Sequence, residues 1–132
     1  MFDSMPEGIL GIGTDLLKVS RIEAAYKRFG ERLVMRLLTP EEQLIWRQHT
    51  YPTRYLAKAF AAKEALSKSL GTGIASGVSF QNFSITRSLA GAPSVDVRGA
   101  ARQRMQSLGA QHMHLSLSDE GDMIQAFAVL SK

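Results

Sequence analysis

Residues 55–74 read Y-L-A-K-A-F-A-A-K-E-A-L-S-K-S-L-G-T-G-I, and no other stretch restricts the fold as tightly. Alanine and leucine favour helix, no proline or β-branched residue interrupts them before Gly71, and Gly71 stands where a left-handed residue ends a helix. At roughly 100° per residue, Leu56, Ala59, Phe60, Leu66 and Leu70 fall on one side, the stripe a core-facing helix needs. Lys63 lands near the middle of that stripe, and Glu64 and Lys68 lie one turn apart along its edge. An unpaired charge taken from water costs on the order of several kcal/mol. Either the Lys63 ammonium snorkels to the rim, or this edge of the helix borders a wet, charged site. By themselves Glu64 and Lys68 read equally well as a surface pair worth about 0.3–0.5 kcal/mol.

Residues 8–17, G-I-L-G-I-G-T-D-L-L, read as a glycine-rich strand with Asp15 at or near its end. A dinucleotide-binding G-x-G-x-x-G is not completed, because Gly11 and Gly13 are followed by Leu16. Residues 1–7 are expected to form a loose tail. Ser20 and Glu23 have the spacing of a capping box and predict a helix over residues 21–38, with Ile22, Ala25, Phe29, Leu33 and Leu37 on its apolar side. Arg21, Lys27, Arg28 and Arg32 supply its charge, and Gly30 is the point at which it would divide. Thr39-Pro40-Glu41-Glu42 is a second helix start, after which Leu44, Ile45 and Trp46 are expected to pack inward. His49-Thr50-Tyr51-Pro52 breaks that helix, and Arg54 and Lys58 fall on the exposed side of the next one.

Beyond Gly77 the pattern changes to strands. Residues 78–86 are rich in β-branched and aromatic side chains, and residues 93–97 alternate Val95 and Val97 with polar neighbours after a turn at Gly91-Ala92-Pro93. A short helix over residues 99–108 is followed by strands over 112–118 and 123–130, joined as a hairpin through Asp119-Glu120-Gly121-Asp122. Met113, Leu115 and Leu117 alternate with His114, Ser116 and Ser118, so one face of that strand is apolar and the other polar. The order predicts one α+β domain over residues 1–132, an antiparallel sheet with helices packed on one face.

Phe60-Ala61-Ala62-Lys63-Glu64-Ala65-Leu66-Ser67-Lys68, followed by Gly71-Thr72-Gly73 and preceded by Gly13-Thr14-Asp15, resembles the phosphopantetheinyl transferases of the small holo-acyl-carrier-protein synthase type. The resemblance runs from about Gly8 to the C-terminus. It implies transfer of phosphopantetheine from coenzyme A to a serine of an apo-acyl carrier protein, with release of 3′,5′-ADP, in support of fatty acid biosynthesis. It also implies Mg²⁺ held by Asp15 and Glu64, with Glu64 and Lys68 as catalytic residues. Coenzyme A contacts are implied at Arg54, Lys58, Lys63, Lys68, Gly71, Gly73, Pro93, His114 and Ser116. The family commonly has G-K-P where this chain has Gly91-Ala92-Pro93, so Ala92 removes a basic side chain there. Arg21, Arg28 and Arg32 are implied as the docking row for the acidic carrier, and assembly as a homotrimer with sites between subunits is implied as well.

Composition narrows the competing classes. With 132 residues, 45% hydrophobic and 21% charged, the chain is long enough for a real core. It has no cysteine, which removes disulfides, thiol nucleophiles and cysteine metal sites. No apolar run approaches the roughly 20 residues of a membrane span, and the N-terminus lacks a signal pattern, so a cytoplasmic protein with no membrane partner is expected. The 16 Lys and Arg against 12 Asp and Glu give +4, which suits an anionic partner without choosing one. A nucleic-acid module would interleave bases with sheet aromatics, and Phe80 and Phe83 have no such company. An adaptor docking an acidic helix through Arg21, Arg28 and Arg32 would need no Asp15 and Glu64 pair.

Overall fold

The computed structural model describes residues 8–132, so the expected tail over residues 1–7 lies outside the described residues. The elements run β1 (Ile9–Lys18), α1 (Val19–Phe29), α2 (Glu31–Leu37), α3 (Pro40–Gln48), α4 (Pro52–Ser69), β2 (Phe83–Arg87), β3 (Pro93–Val97), α5 (Gly99–Leu108), β4 (His112–Glu120) and β5 (Met123–Ser131). Strands β1, β5 and β4 form an antiparallel sheet with β5 in the middle, and β2 and β3 pair as a separate ribbon. The expected α+β arrangement therefore holds, with two sheets where one continuous sheet was anticipated.

Helix α4 lies across one face of the three-stranded sheet. Ile124, Ala126, Ala128 and Leu130 of β5 alternate beneath it and are wholly buried with Leu56, Ala57, Ala61, Ala65 and Leu66. Glycine sets the distance on β1. A Cβ at Gly11 would collide with the Ser69 carbonyl oxygen, and one at Gly13 with the Ala65 carbonyl oxygen. The G-x-G of this strand thus serves close helix-on-strand packing, and Asp15 follows it one turn of pleat further on.

Local signals at the helices met tertiary competitors. The capping box at Ser20 and Glu23 does not form. Helix α1 starts at Val19, and the Ser20 N–H and Oγ donate to the two Asp122 carboxylate oxygens at 3.1 and 2.8 Å, while Val19 N–H donates to the Asp122 carbonyl at 2.8 Å. An acceptor from the β4–β5 turn has replaced the local cap, and Glu23 pairs with Lys27 instead. Gly30, at φ 61° and ψ −141°, divides the expected helix into α1 and α2. At Thr39 the expected cap is present, with Thr39 N–H donating to Glu42 Oε1 at 2.8 Å. Only Trp46 of the trio on α3 packs inward, against the Tyr26 ring; Leu44 and Ile45 are exposed. Consecutive residues turn by roughly 100°, so three in a row cannot share one buried face.

Proline brings the start of α4 forward to Pro52, and the helix ends before Gly71 as the pattern predicts. Strand β2 begins at Phe83, later than expected, because residues 80–82 close a 3₁₀ turn in which Asn82 Oδ1 accepts from Ser79 N–H. Strand β3 and helix α5 keep their expected bounds.

Candidate active site

Asp15 on β1 and Glu64 and Lys68 on α4 meet where the helix crosses the strand, although the two elements are far apart in sequence. Lys68 Nζ donates to the Thr14 carbonyl at 3.0 Å and to Asp15 Oδ1 at 3.3 Å. Asp15 Oδ2 is buried and, among the described residues, accepts no hydrogen bond. Partial burial, and then the neighbouring Asp15 charge, hold the Glu64 carboxyl above its ordinary range; Lys68 and Arg21 pull against that shift.

Two adjoining carboxylates, one with an orphaned buried oxygen, fit a divalent cation. Among the described residues no cluster of three His, Cys, Asp or Glu forms. That donor set suits a hard ion such as Mg²⁺, which completes its shell with water and phosphate oxygens. Asp15 and Glu64 would hold it.

Asp15 lies within β1, which continues to Lys18, and not at the strand end expected from the sequence. The chain that brings it to Glu64 and Lys68 matches a known family over most of its length. Residues 11–128 match the model of the 4′-phosphopantetheinyl transferase superfamily. This chain belongs to that superfamily. It is 46% identical over 122 residues to a holo-[acyl-carrier-protein] synthase of Shewanella oneidensis, covering 92% of this chain and 96% of that one. The crystal structure of the holo-[acyl-carrier-protein] synthase of Neisseria meningitidis superposes with a TM-score of 0.89 at 44% identity, covering 94% of this chain and 99% of that chain. The Helicobacter pylori enzyme, crystallised with coenzyme A, superposes at 0.79 with 31% identity, covering 91% and 99% of the two chains.

Within this phosphopantetheinyl transferase fold the remaining expected contacts divide into groups. Gly71 and Gly73 follow α4 directly beyond Lys68, where Arg104 Nε donates to the Leu70 carbonyl at 3.0 Å. Arg54 and Lys58 lie toward the other end of α4, about 21 and about 15 Å from Lys68 at ~1.5 Å per residue. They are half-buried rather than exposed, because both reach Asp119 of β4, at 2.8 and 3.6 Å, and Arg54 also donates to the Gly121 carbonyl. With Pro93 they line a cavity of about 350 Å³, to which His49, Tyr51, Tyr55, Arg87 and Leu117 also contribute. Burial, with the Glu42 charge, raises the Tyr55 phenol far above its ordinary range and keeps it neutral. His114 and Ser116 stand on the outer face of the sheet, opposite Val129 and Phe127, whereas Asp15 pairs with Ala126 on the face beneath α4.

Lys63 is the clear correction. It has no exposed surface, and Nζ donates to Glu42 Oε1 and to the Leu37 carbonyl, both at 2.6 Å. Burial lowers its pKa and the Glu42 carboxylate works against that shift. The side chain is turned into the core, away from any phosphate at Lys68, so the expected coenzyme A contact is not made from this position. Neither the rim nor a wet site explains the lysine in the apolar stripe; a buried partner does. Sequence reasoning missed Glu42 because, within Thr39-Pro40-Glu41-Glu42, it was accounted for as part of a helix start. The signal was that a lysine in the core requires a carboxylate there too.

The docking row is also altered. Arg21 and Arg28 are exposed on α1, the latter over the Phe29 ring at 5.1 Å, but Arg32 belongs to α2 beyond the Gly30 break. Finally, Glu64 forms one wall of a second cleft, about 310 Å³, lined by Leu33, Arg36, Leu37, Phe60, Ile74 and Phe80.

Proposed function

We propose that this chain is a holo-[acyl-carrier-protein] synthase that carries the 4′-phosphopantetheine of coenzyme A to a serine hydroxyl of an apo-acyl carrier protein, releasing 3′,5′-ADP. The observation that carries the reading is the convergence of Asp15, Glu64 and Lys68 within a chain of this superfamily. In the reaction the serine hydroxyl releases its proton to water as its oxygen bonds to the phosphorus that bears pantetheine, the pyrophosphate P–O bond breaks, and the electron pair departs with 3′,5′-ADP. Such a displacement is governed by positioning and charge neutralisation. A Mg²⁺ held by Asp15 and Glu64 would neutralise the pyrophosphate and polarise it toward attack. Lys68 Nζ, fixed by Thr14 and Asp15 at the rim, presents positive charge to the phosphate that is leaving. The backbone at Gly71 and Gly73 allows close approach of the cofactor, and the apolar cleft beside Glu64 offers a course for the pantetheine arm.

His114 and Ser116 lie on the opposite sheet face from Asp15, and Arg54, Lys58 and Pro93 lie toward the far end of α4. One coenzyme A molecule cannot touch all of them in one copy. A homotrimer with sites between subunits reconciles them, and the exposed Ile12, Leu16 and Phe127 on the outer sheet face support that assembly. Arg21 and Arg28 face the acidic carrier, with Arg32 contributing from α2. The product then serves fatty acid biosynthesis in the cytoplasm. Incubation with coenzyme A, Mg²⁺ and apo-carrier should add one phosphopantetheine to the carrier by mass spectrometry. An unmodified carrier with and without the metal would overturn the assignment.

A further inference from the structure

Helix α4 presents a smooth underside to the sheet: Ala57, Ala61, Ala62 and Ala65 are wholly buried. Small side chains set how near the helix lies but interlock weakly, so they leave its rotation about its own axis poorly determined. Gly11 and Gly13 act in the same way, on distance alone. Lys68, Arg54 and Lys58 tether the helix at its exposed edges, and one directional contact fixes it from within the core. Lys63 Nζ is held by the Leu37 carbonyl at the end of α2 and by Glu42 of α3. Glu42 in turn takes the Thr39 N–H on Oε1 and the Ile85 N–H of β2 on Oε2, each at 2.8 Å. The side chains of both residues are at most 1% exposed. Every partner is backbone or the paired charge, so the anchor point cannot drift with surface side chains.

Lys63 immediately precedes Glu64, so whatever fixes the azimuth of one fixes the other. We propose that Glu42 and Lys63 are positioning residues, a buried pin that sets the rotation of α4 so that Glu64 stands beside Asp15. This rests on the functional reading above and gives that site its rigidity. An apolar pair of similar volume would fill the same space at little cost in stability but without direction, since buried ion pairs are often replaceable by hydrophobic residues. The pair then acts through Glu64 on the cation and not on the nucleotide.

The test uses the full chain with Lys63→Met and with the double substitution Glu42→Leu/Lys63→Met, after circular dichroism and thermal melting establish folding. Mn²⁺ binding in the presence of coenzyme A is followed by electron paramagnetic resonance, coenzyme A binding without metal by calorimetry, and transfer to apo-carrier by kcat and KM. By analogy with loss of a group that orients a metal ligand, which typically costs ~10–100-fold, Mn²⁺ affinity and kcat should fall by about that factor. Metal-free coenzyme A affinity should stay within about twofold. Unchanged Mn²⁺ affinity in a folded variant overturns the proposal, as does a tenfold loss of coenzyme A affinity with Mn²⁺ binding intact, which would make Lys63 a phosphate ligand. Failure of both variants to fold would assign the pair to stability alone and overturn it too. The Mn²⁺ measurement needs no turnover, so absence of transfer by the wild-type chain would sink the functional reading separately.

Discussion

Glu64 is where the chemistry of single residues can be measured most directly. Its carboxyl is raised above the ordinary range by burial and by Asp15. Between the ordinary carboxylate range and the raised value, the folded form keeps a proton that the unfolded form has released. Stability therefore falls as pH rises through that window. Glu64→Gln should melt higher than the wild type at about pH 7 in EDTA, and the gap should close below about pH 4, where both forms are protonated. Added Mg²⁺ should raise the melting temperature of the wild type and not that of the variant; equal responses would remove Glu64 from the cation site. The contribution proposed for Lys68 is different, to charge that develops only as the phosphate departs. Lys68→Ala should lower kcat by roughly 10²–10³-fold, about 2.7–4 kcal/mol by analogy with loss of one oxyanion donor, with coenzyme A affinity nearly unchanged. Weaker binding with normal turnover at saturation would make Lys68 a ground-state anchor.

At the scale of elements, the β1–α4 crossing decides whether a site exists. Gly13→Ala places a methyl against the Ala65 carbonyl, backbone on backbone, where neither side can rotate away. The loss should be no smaller than the ~1–3 kcal/mol of an overpacked core, read as a lower midpoint in urea. A wild-type midpoint would show that strand and helix are not held so close. Helix α1 is the second element with a functional prediction. Arg28→Glu should raise the KM for apo-carrier at least two- to fivefold, the worth of about 0.2–1 kcal/mol per exposed ion pair with repulsion added, and leave that for coenzyme A alone. Carrier kinetics unmoved across a salt series would mark this face as solvated charge only. The pitch of that surface was not legible from spacing, because Gly30 turns the chain between Arg28 and Arg32.

Assembly is the whole-molecule question. The outer sheet face carries Ile12, Leu16 and Phe127 exposed, with His114 and Ser116 along its β4 edge. On the proposed assembly with shared sites, Phe127→Glu should yield a folded monomer of 14.5 kDa by light scattering, with coenzyme A turnover lost. A variant that remains oligomeric, or a monomer that still transfers, would count against shared sites.

Periodicity and turn chemistry were enough, on sequence alone, to place α4, the Thr39 cap, β3, α5 and the β4–β5 hairpin, since those signals act over a few residues. Asp15, Glu64 and Lys68 were singled out before any fold was known only through the family resemblance carried by the helix motif and Gly13-Thr14-Asp15. What spacing could not decide were contacts between distant segments. Asp122 capping α1 in place of a local box, Asp119 holding Arg54 and Lys58, and the separation of His114 from Asp15 by the thickness of a sheet all depend on how elements pack. Lys63 shows the limit best. Its place in the apolar stripe was plain from the sequence, but its meaning required Glu42, because a buried charge is satisfied by whichever partner the tertiary fold delivers.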